Sequence, residues 1–172
     1  LDVVIADMGP TPFGAPGAPP RIFLNEGAGF FSEHPIPLPV KVGQSDVSLI
    51  DVDLDWDLDI YIANRGFNPG GNHHLLLNQL DGTFVDASAL IPSTNGQSHA
   101  AEGGDLDGDG DVDFFLLSAT GQSEAVLRNN LIGLGSLSYT KLPPLAGADF
   151  GREVALFDHD MDGDLDALLC SD

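Results

Sequence analysis

The chain has 172 residues, a formal net charge of −21 and a single cysteine. Its six basic residues are scattered along the sequence, so the composition disfavours nucleic acid and anionic membrane surfaces as partners. One cysteine excludes an internal disulfide framework, and no apolar run reaches the roughly 18 residues of a membrane-spanning helix.

Short apolar runs bounded by Asp, Gly or Asn follow one another along the chain. In chain order they are residues 3–6, 21–25, a run from Phe30, 46–50, 60–63, 74–78, a run from Phe84, 99–103, 114–117, 125–129, 137–140, 152–157 and 167–170. Most are about four to six residues long, which is typical of strands rather than helices. Gly-containing turns join several neighbouring runs, which predicts antiparallel meanders.

A nine-residue segment with Asp at every second position separates the first and second run of three units. The copies are loop 1 (51–59), loop 2 (105–113) and loop 3 (158–166). The step from Asp51 to Asp105 is 54 residues and that from Asp105 to Asp158 is 53. Four strands in about 50 residues, repeated in tandem, are typical of β-propeller blades. The predicted fold is all-β, with about three four-stranded antiparallel blades that form part of a larger or oligomeric propeller.

The spacing divides the chain into four segments. They are a partial blade at 1–43 with the second to fourth strands and a Pro/Gly-rich insertion, full blades at 44–97 and 98–149, and a partial blade at 150–172. The chain opens in mid-repeat at Leu1, so we expect a fragment or a processed product. Closure within one chain, between two copies, or within a longer array remain open alternatives.

Five carboxylates within nine residues repel one another, and a hard divalent cation is the usual reason for such crowding. Alternate residues of a tight loop point to one side, so positions 1, 3, 5 and 9 can converge on one ion, while position 7 can add its backbone carbonyl. The candidate metal ligands are Asp51, Asp53, Asp55, Asp57, Asp59, Asp105, Asp107, Asp109, Asp111, Asp113, Asp158, Asp160, Asp162, Asp164 and Asp166. About three Ca²⁺ ions are expected.

Position 6 of the loops needs a sharp turn with positive φ, which glycine permits. Gly110 and Gly163 supply it, whereas Trp56 stands there in loop 1. A bulky residue with positive φ is costly. We therefore expect the weakest or most distorted site in loop 1.

The competing calcium motif is the EF-hand type of loop, which needs an acid at position 12 and a following helix. Position 12 is Ile62, Leu116 or Leu169, each inside a strand-like run, so this motif is excluded. Nonapeptide calcium rolls are excluded as well, because the period is about 54 residues rather than nine.

On these residues the chain resembles the FG-GAP/VCBS repeat family, the calcium-bearing blades also found in integrin α-subunit propellers. The best copy is 150–166, where Phe150 and Gly151 open the first strand and the Asp loop follows. The resemblance implies side-chain ligands at positions 1, 3, 5 and 9 of loops 2 and 3, completed by the backbone carbonyls of Asp111 and Asp164. The string Phe13-Gly14 lies in an insertion and does not belong to the motif.

The function expected from this resemblance is a calcium-binding propeller module that serves as an extracellular recognition or adhesion scaffold, secreted or at the cell surface, with structural Ca²⁺. The variable connections at 8–20 and 64–73 are candidates for binding a protein or carbohydrate ligand. The alternative is the propeller domain of a secreted carbohydrate-active enzyme of lyase, dehydratase or hydrolase type, with its active site partly outside this chain. The sequence contains no Gly-x-Ser-x-Gly or His-Glu-x-x-His motif, so no enzyme is expected and no catalytic residue is assigned.

The remaining reactive side chains are interpreted as structural or surface residues. Neighbouring residues of a strand point to opposite faces, so His73 and His74 are expected to be surface or rim histidines rather than joint metal ligands. His159 is expected to face solvent. Cys170 is expected to be a buried small hydrophobe.

Overall fold

The computed structural model describes residues 2–5, 20–34, 38, 44–64, 73–94, 98–118, 125–143, 145 and 151–171. Its strands are β1 (Val3–Ile5), β2 (Arg21–Gly27), β3 (Phe30–Glu33), β4 (Gln44–Ile50), β5 (Asp59–Asn64), β6 (His74–Asn78), β7 (Phe84–Asp86), β8 (Ser98–Gly104), β9 (Asp113–Ser118), β10 (Ala125–Asn129), β11 (Tyr139–Lys141), β12 (Gly151–Phe157) and β13 (Asp166–Ser171). A short 3₁₀ turn at Ser88–Leu90 follows β7, and the helix α1 (Leu131–Leu134) follows β10.

These strands form four antiparallel sheets in which neighbours in sequence are neighbours in space. Sheet 1 contains β1–β3, sheet 2 contains β4–β7, sheet 3 contains β8–β11, and sheet 4 contains β12 and β13. The prediction of an all-β fold of antiparallel, propeller-like blades is confirmed. The boundaries drawn between the sequence segments stay predictions.

The sheets pack face to face. Alternate residues of each second strand point to opposite faces of its sheet, and so towards the sheets on either side. In β5, Ile60 and Ile62 pack against sheet 1, while Tyr61 and Ala63 pack against sheet 3. The largest of these cores lies between sheets 2 and 3, where the Phe114 ring stacks on Tyr61 with 4.0 Å between ring centroids. A third core joins sheet 3 to sheet 4. The period-2 pattern of the strands therefore builds cores between blades rather than within one blade.

The first strands of the sheets lie side by side, with β8 between β4 and β12. The Ala101 N–H donates to Asp46 Oδ2 at 3.0 Å, and Ser48 Oγ donates to Ala101 O at 2.7 Å, so β4 and β8 are linked across the blades. At the start of β12 the packing favours glycine, because a Cβ on Gly151 would lie 2.9 Å from the Leu117 side chain of β9. This is the glycine that the sequence places at the head of the repeat.

Two predictions of side-chain burial are wrong. Cys170 is exposed, because it lies on the face of β13 that points away from sheet 3 and no described residue covers it. His73 is fully buried rather than at the surface, because it stacks on Tyr61, whose ring lies in the core between sheets 2 and 3. His159 is exposed, as predicted.

Most of the Pro/Gly-rich insertion at 8–20, most of the connection at 64–73, and Phe150 lie outside the described residues. Within the described ranges, no helix is long and apolar enough to cross a membrane.

Candidate metal sites

All three Asp loops lie at one edge of the stacked sheets. Each loop connects the first and second strand of its sheet, and in a meander this connection shares an edge with the one between third and fourth strands. We call this edge the Asp edge. The variable connections between second and third strands start from the opposite edge.

The aspartate at position 1 closes each loop by accepting two backbone N–H groups. The donors are Asp55 and Trp56 for Asp51, Gly108 and Gly110 for Asp105, and Asp162 and Gly163 for Asp158, at 2.8–3.2 Å. Position 5 then accepts the N–H of position 7 at 3.0–3.2 Å. Asp is favoured in such turns because its short side chain reaches its own backbone.

The aspartate at position 9 ties each loop to the sheet behind it. One oxygen accepts the N–H of position 2, from Val52, Leu106 or His159, at 2.9–3.0 Å. In loops 1 and 2 the other oxygen accepts the N–H of an asparagine at the end of the third strand, Asn78 for Asp59 at 2.9 Å and Asn129 for Asp113 at 2.7 Å. Asp2 in sheet 1 makes the same bond with the Asn25 N–H.

The role of these asparagines was not predicted, although their recurrence is visible in the sequence. Asn25, Asn78 and Asn129 recur at the end of the third run in each unit, but were interpreted only as strand ends. The structure shows that they anchor the aspartate at position 9.

Carboxylate oxygens from positions 1, 3 and 9 converge in every loop. The groups are Asp51, Asp53 and Asp59; Asp105, Asp107 and Asp113; and Asp158, Asp160 and Asp166, with one oxygen of each residue within 4.8 Å of the others. The aspartates at positions 5 and 7 are not members of these groups, and their assignment as ligands stays a prediction. The hydrogen bonds already made leave lone pairs free, because each carboxylate oxygen can accept two.

Loops 1 and 2 bury part of their negative charge, whereas loop 3 is exposed throughout. Asp59 and Asp113 are each 1% exposed, and Asp57 and Asp111 are buried at position 7. Among the described residues, no hydrogen bond reaches Asp53 Oδ1, Asp111 Oδ1 or either oxygen of Asp57. Buried carboxylate oxygens without a partner are costly, which fits a site that a cation completes.

Burial and crowding raise the pKa of these carboxyls. Desolvation raises the pKa of Asp59 and that of Asp113 to about 6, outweighing the backbone hydrogen bonds that lower it. Desolvation followed by repulsion from neighbouring carboxylates raises the pKa of Asp53 and Asp57 as well. The donor set is all oxygen and strongly anionic, which suits a hard cation such as Ca²⁺.

The backbone turns with positive φ at two positions of each loop, of which the sequence analysis identified only one. At position 6, φ is +75° for Trp56, +96° for Gly110 and +99° for Gly163. At position 4 it is +63° for Leu54, +77° for Gly108 and +63° for Met161. Loop 1 thus keeps the turn of the others with bulky residues at both positions, and Trp56 is 96% exposed.

The histidine pair forms no part of these sites. His73 Nδ1 accepts the Asn64 N–H at 3.3 Å, and His73 Nε2 lies 3.0 Å from Thr94 Oγ1. Burial lowers the pKa of His73 to about 4, so the ring is neutral at physiological pH. His73 therefore holds together the two strand ends from which the connection at 65–72 leaves sheet 2.

A family model described as an FG-GAP-like repeat matches the chain twice, over residues 51–116 and 105–169. Each match starts at the first residue of one Asp loop and ends in the strand that directly follows the next Asp loop. The comparison with curated proteins gives no match. The two family matches together span well over half of the chain, which therefore belongs to the FG-GAP-like repeat family and is a propeller-type repeat module.

Proposed function

We propose that this chain is a calcium-binding propeller module that acts as an extracellular recognition or adhesion scaffold, with Ca²⁺ in a structural role. The observation that carries the proposal is the convergence of three carboxylate oxygens in each loop, within 4.8 Å of one another. The buried, unpartnered oxygens of Asp53, Asp57 and Asp111 support it.

The aspartates at positions 1, 3 and 9 would hold the cation. When bound, Ca²⁺ supplies positive charge that offsets the repulsion among the five carboxylates of a loop. In loops 1 and 2, position 9 also fixes the N–H of the third-strand asparagine, so an ordered Asp59 or Asp113 joins the loop to strands β6 or β10. The Asp edge of each blade would thus be stabilised as a unit.

An extracellular setting matches the chemistry of the sites. Loop 3 and the outer parts of loops 1 and 2 are open to solvent, and exposed modules of this kind bind Ca²⁺ at about 0.1–1 mM. Recognition of a protein or carbohydrate ligand is assigned to the connections at 8–20 and 64–73, because they leave the edge opposite the metal loops. Metal and ligand would then act at separate edges.

We also propose that blades of the same kind cover the two outer faces of the described stack. Val3 and Ile5 in sheet 1, and Leu168 with Cys170 in sheet 4, occupy the strand positions that form blade-to-blade cores elsewhere, and all four are exposed. The covering blades belong to a second copy or to a longer propeller.

Thermal unfolding with 1 mM Ca²⁺ and with excess EGTA tests the metal function. Three sites with a Kd of about 0.1 mM would add about 4 kcal/mol at this concentration, which raises Tm by about 10 °C. The matched variants are Asp107→Asn, in the convergent group of loop 2, and Glu33→Gln, an exposed acid on β3. Asp107→Asn should lose at least a third of the gain and Glu33→Gln none. A Tm that is equal in calcium and EGTA would contradict the proposal.

A further inference from the structure

Asn129 joins the candidate metal sites of loops 1 and 2. It lies fully buried at the end of β10, and its backbone N–H donates to Asp113 Oδ1 in loop 2 at 2.7 Å. Its side-chain Nδ2 donates in the opposite direction, to the Val52 carbonyl oxygen in loop 1 at 3.0 Å. One residue of sheet 3 thus contacts both loops.

Val52 occupies position 2 of loop 1, between two aspartates of the convergent group. It is fully buried, and its N–H donates to Asp59 Oδ2 at 2.9 Å. Its carbonyl belongs to the peptide that leads into Asp53, so the bond from Asn129 fixes the direction from which Asp53 enters the site. Hydrogen bonds therefore connect Asp113 through Asn129 and Val52 to Asp59.

The equivalent asparagine of sheet 2 makes no such crossing. Asn78 donates its backbone N–H to Asp59 in the same way, but its Nδ2 donates to the Leu58 carbonyl oxygen at 3.3 Å, within its own sheet. Asn129 Oδ1 accepts the Leu131 N–H at 3.1 Å, and Asn78 Oδ1 accepts the N–H two positions further on in the same way, at 3.2 Å. The two asparagines therefore differ in the group that Nδ2 reaches.

We propose that Asn129 is a positioning residue that couples loops 1 and 2, so that cation binding in either loop raises the affinity of the other. The inference rests on the calcium function proposed above. A cation in loop 2 orders Asp113, and thereby Asn129 and the Val52–Asp53 peptide of loop 1. The coupling is reciprocal by linkage, and one buried hydrogen bond corresponds to an effect of about threefold to tenfold on affinity.

The test uses Tb³⁺ as the probe in place of Ca²⁺. Trp56 is the only tryptophan of the chain and lies in loop 1, so Tb³⁺ luminescence excited through tryptophan alone reports the occupancy of loop 1. Asp107→Asn weakens loop 2, and Asn129→Ala removes the amide while leaving the backbone N–H that binds Asp113. Asn78→Ala is the matched control, because it removes an amide that stays within sheet 2.

In the wild-type background, Asp107→Asn should lower the affinity of loop 1 for Tb³⁺ by about threefold to tenfold. Asn129→Ala should lower it by a similar factor, and adding Asp107→Asn to it should have no further effect. In the Asn78→Ala background, Asp107→Asn should keep its full effect on loop 1. If Asn129→Ala does not fold, Asn129→Ser replaces it, since the hydroxyl can still accept the Leu131 N–H but is too short to reach Val52.

A role of Asn129 in stability alone would lower the unfolding temperature and leave the effect of Asp107→Asn on loop 1 intact, which would overturn the coupling while the metal function stands. Unchanged affinity of loop 1 in Asn129→Ala would overturn it as well. Absence of Tb³⁺ and Ca²⁺ binding in the wild type would instead contradict the proposed function, and the coupling with it.

Discussion

Sheets 3 and 4 carry nearly the same sequence pattern and end in very different environments. Leu116 in β9 and Leu169 in β13 both stand at position 12 counted from the start of their loops, yet Leu116 is 2% exposed and Leu169 is 40% exposed. Both residues face the preceding sheet, but β9 is flanked by β8 and β10, whereas β13 has only β12 beside it among the described strands. The burial of a blade residue is therefore decided by the strands that surround it and not by its own repeat.

The same contrast holds for the metal loops. Asp113 is buried under the Asn129 N–H and the Leu106 N–H, whereas Asp166 is exposed and receives the His159 N–H. Loop 2 is thus held by a hydrogen bond from the end of β10, where Asn129 also contacts loop 1. The hydrogen bond to Asp166 comes from within loop 3 itself. Identical Asp spacing gives two kinds of site.

The largest expected effect comes from identical truncations in the two sheets. Leu116→Ala should lower the free energy of unfolding by about 3 kcal/mol, because it empties space in the core between sheets 2 and 3. Leu169→Ala should lower it by about 1 kcal/mol, since this side chain is already partly solvated. Urea unfolding measures both, and equal losses would contradict the contrast between the four-stranded and the two-stranded sheet.

The next effect is a pH dependence of stability to which the buried His73 contributes. Burial lowers the pKa of His73 from 6.5 to about 4. As the pH falls, His73 is therefore protonated in the unfolded chain before it is protonated in the folded protein. The stability contributed by neutral His73 is complete above about pH 6.5 and is lost down to about pH 4, which amounts to about 3 kcal/mol.

The measurement is urea unfolding at about pH 7 and about pH 4 for the wild type, His73→Gln and His159→Gln. The difference between wild type and His73→Gln cancels the titration of the carboxylates. His159→Gln is the control substitution at an exposed histidine. A pH dependence shared by all three proteins would show that His73 does not titrate as its burial requires.

A smaller effect, of opposite sign, is expected from position 7 of the loops. Asp57 is buried with both oxygens unpartnered, and desolvation, followed by repulsion from three other carboxylates, raises its pKa, whereas Asp164 is exposed. Asp57→Asn should therefore raise Tm in EGTA by about 2–4 °C, the shift that about 1 kcal/mol gives. In calcium this gain should vanish, because the same charge then favours the bound cation. Asp164→Asn should leave Tm in EGTA unchanged, and a lower Tm for Asp57→Asn in EGTA would contradict this reading.

The smallest effect concerns backbone strain in loop 1. Trp56 has a φ of +75° and buries almost nothing, where loop 2 has Gly110. Trp56→Gly should stabilise the metal-free protein by about 0.5–1 kcal/mol, after the greater flexibility of glycine in the unfolded chain is subtracted. Differential scanning calorimetry in EGTA measures this gain. A loss of stability would mean that Trp56 makes contacts that its exposure does not indicate.

The strands and loops were predictable because their signals are local. Four-residue apolar runs ending at Asp, Gly or Asn located the strands of all four sheets, and the alternating Asp located the loops. Tandem repetition then fixed the blade pattern, since each copy tests the others. The helix α1 was not predicted, because its four residues lie between two strand-like runs and are too few to give a helical pattern.

The burial of single side chains was less predictable, because it depends on contacts between blades. Cys170 has the apolar neighbours of a core residue but faces away from sheet 3, and His73 looks like a rim residue but stacks on Tyr61. Asn129 shows the same limit at the site, since its link to Val52 joins residues 77 positions apart. The position-4 turn was overlooked because Leu54 and Met161 hide the glycine signal that Gly108 gives in loop 2.

The most direct test of the central claim is a calorimetric titration of the metal-free protein with Ca²⁺, checked by the metal content after dialysis. The three convergent carboxylate groups predict about three bound ions per chain, with loops 1 and 2 distinguishable from the exposed loop 3. Replacing the aspartate at position 3 of a single loop by Asn should lower the number of bound ions by one, whichever loop is changed. A wild-type protein that takes up no Ca²⁺ at millimolar concentration would contradict the claim that these loops are calcium sites.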